Sequence, residues 1–189
     1  MSGRAAGVAR SVAMLPVRWS GLALAAGFAI TGLWVEVAVS MLVALAQVVA
    51  WRSGLPARWE IATSLVCLVA AISSFLLLYE KLPWWDLPVH AALTGLLAVL
   101  VARVLHRSRP TAAHVITTGA LLAVVWELME LAGHHWVDPT VYVAPADTLT
   151  DILAGLAGTM VAALLWGRGA AATGGSMTAA GARISRPRR

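Results

Sequence analysis

Apolar residues run through this chain in long blocks broken by brief polar interruptions, and the blocks fall near residues 17–34, 35–51, 59–79, 87–105, 112–133 and 149–166. A helix needs about 20 apolar residues to cross the roughly 30 Å hydrocarbon core of a bilayer. The pattern therefore predicts an all-α polytopic bundle of six transmembrane helices. One boundary is unmarked. Residues 21–50 contain no Gly-Pro or Asn-Gly turn signal, and a single tilted helix of about 45 Å also fits them at about 1.5 Å per residue.

Charge decides between five spans and six. With six, Arg4, Arg10, Arg18, Arg52, Arg58, Arg103, Arg107, Arg109, Arg168, Arg183, Arg186, Arg188 and Arg189, which are all the arginines, fall on one side and only Lys81 on the other. Short cytoplasmic loops collect Lys and Arg, so both termini are expected in the cytoplasm, with a turn near residues 32–36. Five spans would carry the first three arginines outside. Aromatic residues mark the same two levels: Trp19, Trp51, Trp59 and Trp166 near the inner boundary, and Trp34, Tyr79, Trp84, Trp85, Trp136 and Tyr142 near the outer one.

Composition agrees with this architecture and removes several function classes. Of 189 residues 60% are apolar and 12% charged, against about a quarter charged in soluble domains, and mean hydropathy is +0.80. Six spans leave no length for a soluble domain, so residues 1–167 read as one membrane domain. Residues 168–189, rich in Gly, Ala, Ser and Arg, read as a disordered basic cytoplasmic tail. The Arg-bearing start resembles a signal sequence without a clear cleavage site, which makes the first span an uncleaved one. The net charge of +5 gives a cytoplasmic face and tail suited to anionic lipid, whereas loops this short offer no platform for nucleic acid. Cys67 lies in an apolar run and reads as a small hydrophobe.

The candidate chemistry lies at the opposite level. The fifth block closes on WELMELAGHH at 126–135, and carboxylates inside a membrane are costly enough to mark function by default. In the six-span topology every acid except Glu60 lies at or toward the outer side. Several come one helical turn from a second polar group: Asp86 with His90, Glu127 with Glu130, Glu130 with His134, and Asp147 with Asp151. If Asp86, His134 and Asp147 mark the boundary, His90, Glu130 and Asp151 lie about 6 Å below it and Glu127 about 10 Å, at about 1.5 Å per residue. Some of these groups have a simpler role open to them. Asp86 before Leu87-Pro88 suits an N-cap, and Thr148 to Asp151 fits a capping box. Glu36 and Glu60 suit the dipole in the first turns of their helices, and His135 suits a helix C-terminus. His106 and His114 flank an inner loop and read as interfacial. Capping does not account for Glu127 and Glu130, which sit where the helix dipole disfavours anions, nor for His90, one turn inside its span.

Three segments carry a family resemblance. YEKLPWWDLPVH at 79–90, WELME at 126–130 and DTLTDILAGLAG at 147–158 resemble the YjdF-type family of bacterial inner-membrane proteins over roughly residues 55–166. That family's pattern is an Asp-x-x-x-His opening one span, a Trp/Tyr-Glu-x-x-Glu closing the next and an Asp-x-x-x-Asp opening the last. The resemblance implies a bacterial plasma-membrane location and points to Asp86 and His90, Glu127 and Glu130, and Asp147 and Asp151, with no activity attached.

Carboxylates and imidazoles converging from helices suit a divalent metal such as Zn, Mn or Fe. The expected ligands are Asp86, His90, Glu130, His134 and Asp151, although the four-residue step from Glu130 to His134 departs from the Glu-x-x-His of di-iron bundles. Such a metal would activate water against an ester or phosphoester of an envelope lipid, with Glu127 or Glu130 as general base. Two other classes use the same residues: a proton- or cation-coupled transporter, and an assembly or sensing subunit packed through Gly155 and Gly158. Against transport, the halves carry no inverted repeat and no broken midplane helix.

Overall fold

A computed structural model of the chain describes residues 14–107, 110–137 and 143–184, with side chains as far as 169. Arg4, Arg10, Arg109, Asp138 and Tyr142, which enter the topology argument, lie outside the described residues, as do the side chains of the tail arginines from Arg183 onward. The elements in chain order are α1 (Leu15–Thr31), α2 (Trp34–Arg52), α3 (Ala57–Phe75), the one-turn α4 (Leu78–Lys81), α5 (Asp86–Leu105), α6 (Ala112–Trp136) and α7 (Pro145–Ile184). Helices α2, α3, α5, α6 and the Pro145–Gly169 part of α7 are long and apolar enough to cross a membrane, and α1 is an apolar helix of 17 residues. The protein is an all-helical membrane bundle.

The boundary unmarked by any turn dipeptide lies at Gly32. This glycine takes a left-handed conformation (φ 75°), and its N–H and that of Leu33 bond back to the Ala29 and Phe28 carbonyls. A glycine enters that region at no steric cost, so the 30-residue apolar stretch breaks into a hairpin of α1 and α2. A second left-handed glycine, Gly54 (φ 66°), and Pro56 at the N-cap of α3 turn the chain again. Thr111 starts α6 through a capping box closed by its oxygen on the His114 N–H and by His114 Nδ1 on its own N–H.

Helix α1 packs on α2 and α3, while α5 packs on α7, α6 and α3 and so joins the two halves. The surface is apolar, with Leu121, Leu128 and Leu164 each more than half exposed, as a lipid-facing surface requires. The interior carries the polar groups. Buried Gln47 accepts from the Gly21 N–H at 3.0 Å and donates to Ser20 Oγ at 2.8 Å. One end of the bundle gathers tryptophans and arginines: Trp19 meets Trp51, Trp59 meets Trp166, and Arg52, Arg103 and Arg107 line one cleft. Trp166 Nε1 also donates to the Pro110 carbonyl at 2.9 Å.

By sequence Glu60 suits only a dipole role in the first turn of its helix. It is 4% exposed and holds Arg18 of α1 by two hydrogen bonds, Nε to Oε1 at 2.5 Å and a terminal nitrogen to Oε2 at 3.3 Å.

Helices α5 and α7 run parallel and α6 antiparallel between their ends, and small residues set the register. A Cβ on Gly158 would strike the Ala91 carbonyl, one on Gly95 would lie 2.6 Å from the Gly158 oxygen, and one on Gly119 would overlap the Thr159 side chain. Backbone therefore lies against backbone where α5 and α7 cross. Gly158→Ala is expected to lower the midpoint of thermal unfolding in detergent, because backbone cannot retreat as a side chain can and overpacking costs about 1–3 kcal/mol. Gly27→Ala, at a position with nothing within 4 Å, is the control. Equal midpoints for the two variants would count against the close crossing.

Candidate metal centre

The same register builds the candidate site. Gly155 of α7 faces Thr94 of α5, 3.1 Å from its Oγ1 to a built Cβ, and Ala123 of α6 at 3.4 Å. One turn further toward the acidic end means four residues back along α5 and α7 and four forward along α6, about 6 Å by helical rise. That step leads from Thr94, Ala123 and Gly155 to His90, Glu127 and Asp151. Small residues in one layer let three helices approach closely, and the next layer brings together an imidazole and two carboxylates.

His90 is 8% exposed. Its Nε2 lies 3.3 Å from Asp86 Oδ1 and 3.9 Å from Glu130 Oε1. Its ring stands edge-on to Trp126, centroids 5.9 Å apart, and Trp126 Nε1 donates to Glu130 Oε1 at 2.8 Å. Asp151 is 2% exposed, and its Oδ2 has no hydrogen-bond partner among the described residues. Glu127, half-buried, lies against the Thr148 hydroxyl of α7. At the edge, Tyr79 of α4 donates to the Ala70 carbonyl at 3.1 Å. Burial first, and then the Asp86 charge, push its phenol up to about 12, so it remains a donor.

Among the described residues two triplets of ligand atoms result, each with its members within 4.8 Å of one another: Asp86, His90 and Asp151, and Glu127, Glu130 and Asp151. Oxygen and imidazole donors of this kind suit Zn, Mn or Fe. Five of the residues singled out by sequence thus meet in space. His134 belongs to neither triplet, and its ring packs on His135 at 5.3 Å. Asp147, one turn outward of Asp151, is half-buried and also lies outside both.

Two capping roles left open by sequence do not occur as drawn. The cap position of α5 is Trp85, with no side-chain cap bond, and Asp86 is already helical. Helix α7 begins at Pro145, so Thr148 to Asp151 lie inside the helix, and the Thr148 N–H is taken by the Ala144 carbonyl. Proline suits a first helical position, which moved the start one turn ahead of the Thr–Asp pair.

Trp126 was read only as part of a motif. Its position four residues before Glu130 placed it on the same helix face, and this was the available signal. Holding a ligand through its outer hydrogen bond tunes metal affinity. Trp126→Phe, which removes the donor and keeps the ring, is expected to weaken metal binding about 10- to 100-fold, as read by titration calorimetry. Unchanged affinity would show that the indole N–H has no such role.

The fold and the cluster define a class, a helical membrane protein with an acid-histidine cluster at one end of its bundle. The chain belongs to the predicted membrane protein family DUF2238, whose model matches residues 9–171; this is the YjdF-type family that its motifs resemble. No curated protein and no solved structure matches it significantly.

Proposed function

We propose that the protein is a metal-dependent hydrolase of the bacterial plasma membrane that acts on an ester or phosphoester of an envelope lipid. The carrying observation is Asp151. A carboxylate 2% exposed, one oxygen without a partner among the described residues, faces His90 and three further acids in an apolar bundle. Buried charge of that kind calls for a counter-ion. No Lys or Arg nitrogen among the described ion pairs serves these acids, and a divalent cation on Asp86, His90, Glu130 and Asp151 would. The cation supplies Lewis acidity and an activated water. Glu127 or Glu130 would take the proton of the attacking water. His134 is given no ligand role.

The topology belongs to the same proposal: six spans, both termini cytoplasmic, the basic face and tail on anionic lipid and the acidic end outward. The shared location of Arg18, Arg52, Arg103 and Arg107 with the tryptophan belt supports it. With Cys67 replaced, a cysteine at Glu80 should be labelled from outside intact cells and one at Ser53 should not; the reverse pattern would overturn the orientation.

The metal reading is tested on purified protein. Zn, Mn or Fe should accompany the chain, be lost in His90→Ala and Glu130→Gln, and chelator should lower thermal stability. A ligand held only by the folded state contributes about 2.7 kcal/mol at 100 times its Kd. Metal-free protein whose unfolding ignores both metal and chelator would remove the hydrolase and leave proton relay as the use of the acids.

A further inference from the structure

The two ligand triplets meet at a single residue. Asp86, His90 and Asp151 form one, Glu127, Glu130 and Asp151 the other, and each keeps its ligand atoms within 4.8 Å. Nitrogen and oxygen ligands sit about 2.0–2.2 Å from Zn, so two ligands on one ion are at most about 4.4 Å apart. Each triplet is close to the size of one ion's shell, whereas the five residues fall into two groups among the described residues. Asp151 is also the most buried of the five, with an oxygen that meets no donor among the described residues. A carboxylate has two oxygens and can give one to each of two ions.

Charge points the same way. Asp86, Glu127, Glu130 and Asp151 carry four negative charges when ionised, and a metal-bound His90 is neutral. One divalent ion leaves two of those charges uncompensated, and no ion pair among the described residues supplies a Lys or Arg to them. Two ions compensate all four. The triplets also divide by helix: Asp86 and His90 come from α5, Glu127 and Glu130 from α6, and α7 contributes Asp151 to both.

We propose that the site holds two divalent cations bridged by the Asp151 carboxylate, one on Asp86 and His90 and the other on Glu127 and Glu130. Bridged ions of this kind lie about 3.5–4 Å apart. Each glutamate would lend one oxygen, leaving the second oxygen of Glu127 or Glu130 to take the single proton lost by the attacking water. The inference rests on the metal reading above and adds the number of ions, the bridging group and the division of ligands.

The test uses the full chain in lipid nanodiscs, stripped of metal and titrated with Mn²⁺, with bound metal counted and the electron paramagnetic resonance spectrum recorded. Two Mn²⁺ per chain with an exchange-coupled spectrum is the expected result. Asp86→Asn and Glu127→Gln, at half-buried positions that tolerate the change, should each retain one ion with an isolated-ion spectrum. Asp151→Asn should abolish the coupling. One uncoupled Mn²⁺ per wild-type chain would overturn the bridged pair and leave the metal centre standing. No bound Mn²⁺ would overturn both. Coupling that survives in Asp151→Asn would keep the pair and reject Asp151 as its bridge.

Discussion

Arg18→Met is expected to destabilise the folded protein by about 3–5 kcal/mol, the cost of leaving one member of a buried ion pair without its partner. Glu60 is 4% exposed and accepts two hydrogen bonds from the Arg18 guanidinium, which also sits 5.1 Å from the Trp51 ring centre. The substitution keeps length and apolar contact and removes the charge. The double variant Arg18→Met, Glu60→Leu should recover most of that loss, because an apolar pair of similar volume is often neutral or better than a buried ion pair. Unfolding midpoints of the two singles and the double give the coupling between the sites. A single variant within about 1 kcal/mol of the parent, the range of exposed pairs, would mean that Glu60 finds water or another donor.

Asp151→Asn should act in the opposite direction on the metal-free protein. A buried carboxylate with an unpartnered oxygen lowers stability, and leaving such a group unsatisfied costs about 1–3 kcal/mol, more when it is charged. The amide removes the charge at constant volume, so the metal-free variant should unfold at a higher temperature than the metal-free parent. Adding metal should stabilise the parent and leave the variant nearly unmoved, which reverses their order. This crossing distinguishes a functional group kept at a cost in stability from a structural acid, whose loss would destabilise under both conditions. Parent and variant responding equally to metal would reject Asp151 as a ligand.

Much of the architecture was legible along the chain. The six apolar blocks match α1, α2, α3, α5, α6 and the Pro145–Gly169 part of α7 within a few residues, because a membrane selects continuous hydrophobicity and that property is local. The break at Gly32 carried no turn dipeptide, yet the distribution of arginines required it, and a glycine able to take positive φ stood at the place. The acid and histidine pairs were legible for the same reason: a spacing of three or four residues fixes a common helix face whatever the helix packs against.

Tertiary structure decided which faces meet. Sequence placed His90, Glu130 and Asp151 at one depth, with Asp86 and His134 about one turn above them and Glu127 below, but depth does not say which way a helix is rotated. The approach of α5 to α7 at Gly95, Gly158 and Ala91 sets that rotation, buries Asp151 opposite His90 and leaves His134 outside both triplets. Arg18 and Glu60, 42 positions apart, gave no joint signal, and each alone suited an ordinary role at the membrane boundary. The sequence by itself determined which segments are long apolar helices and which of their faces are polar, since solvent preference and helical period are properties of neighbouring residues. Only packing determined which polar faces share a site, because that depends on contacts between surfaces far apart along the chain.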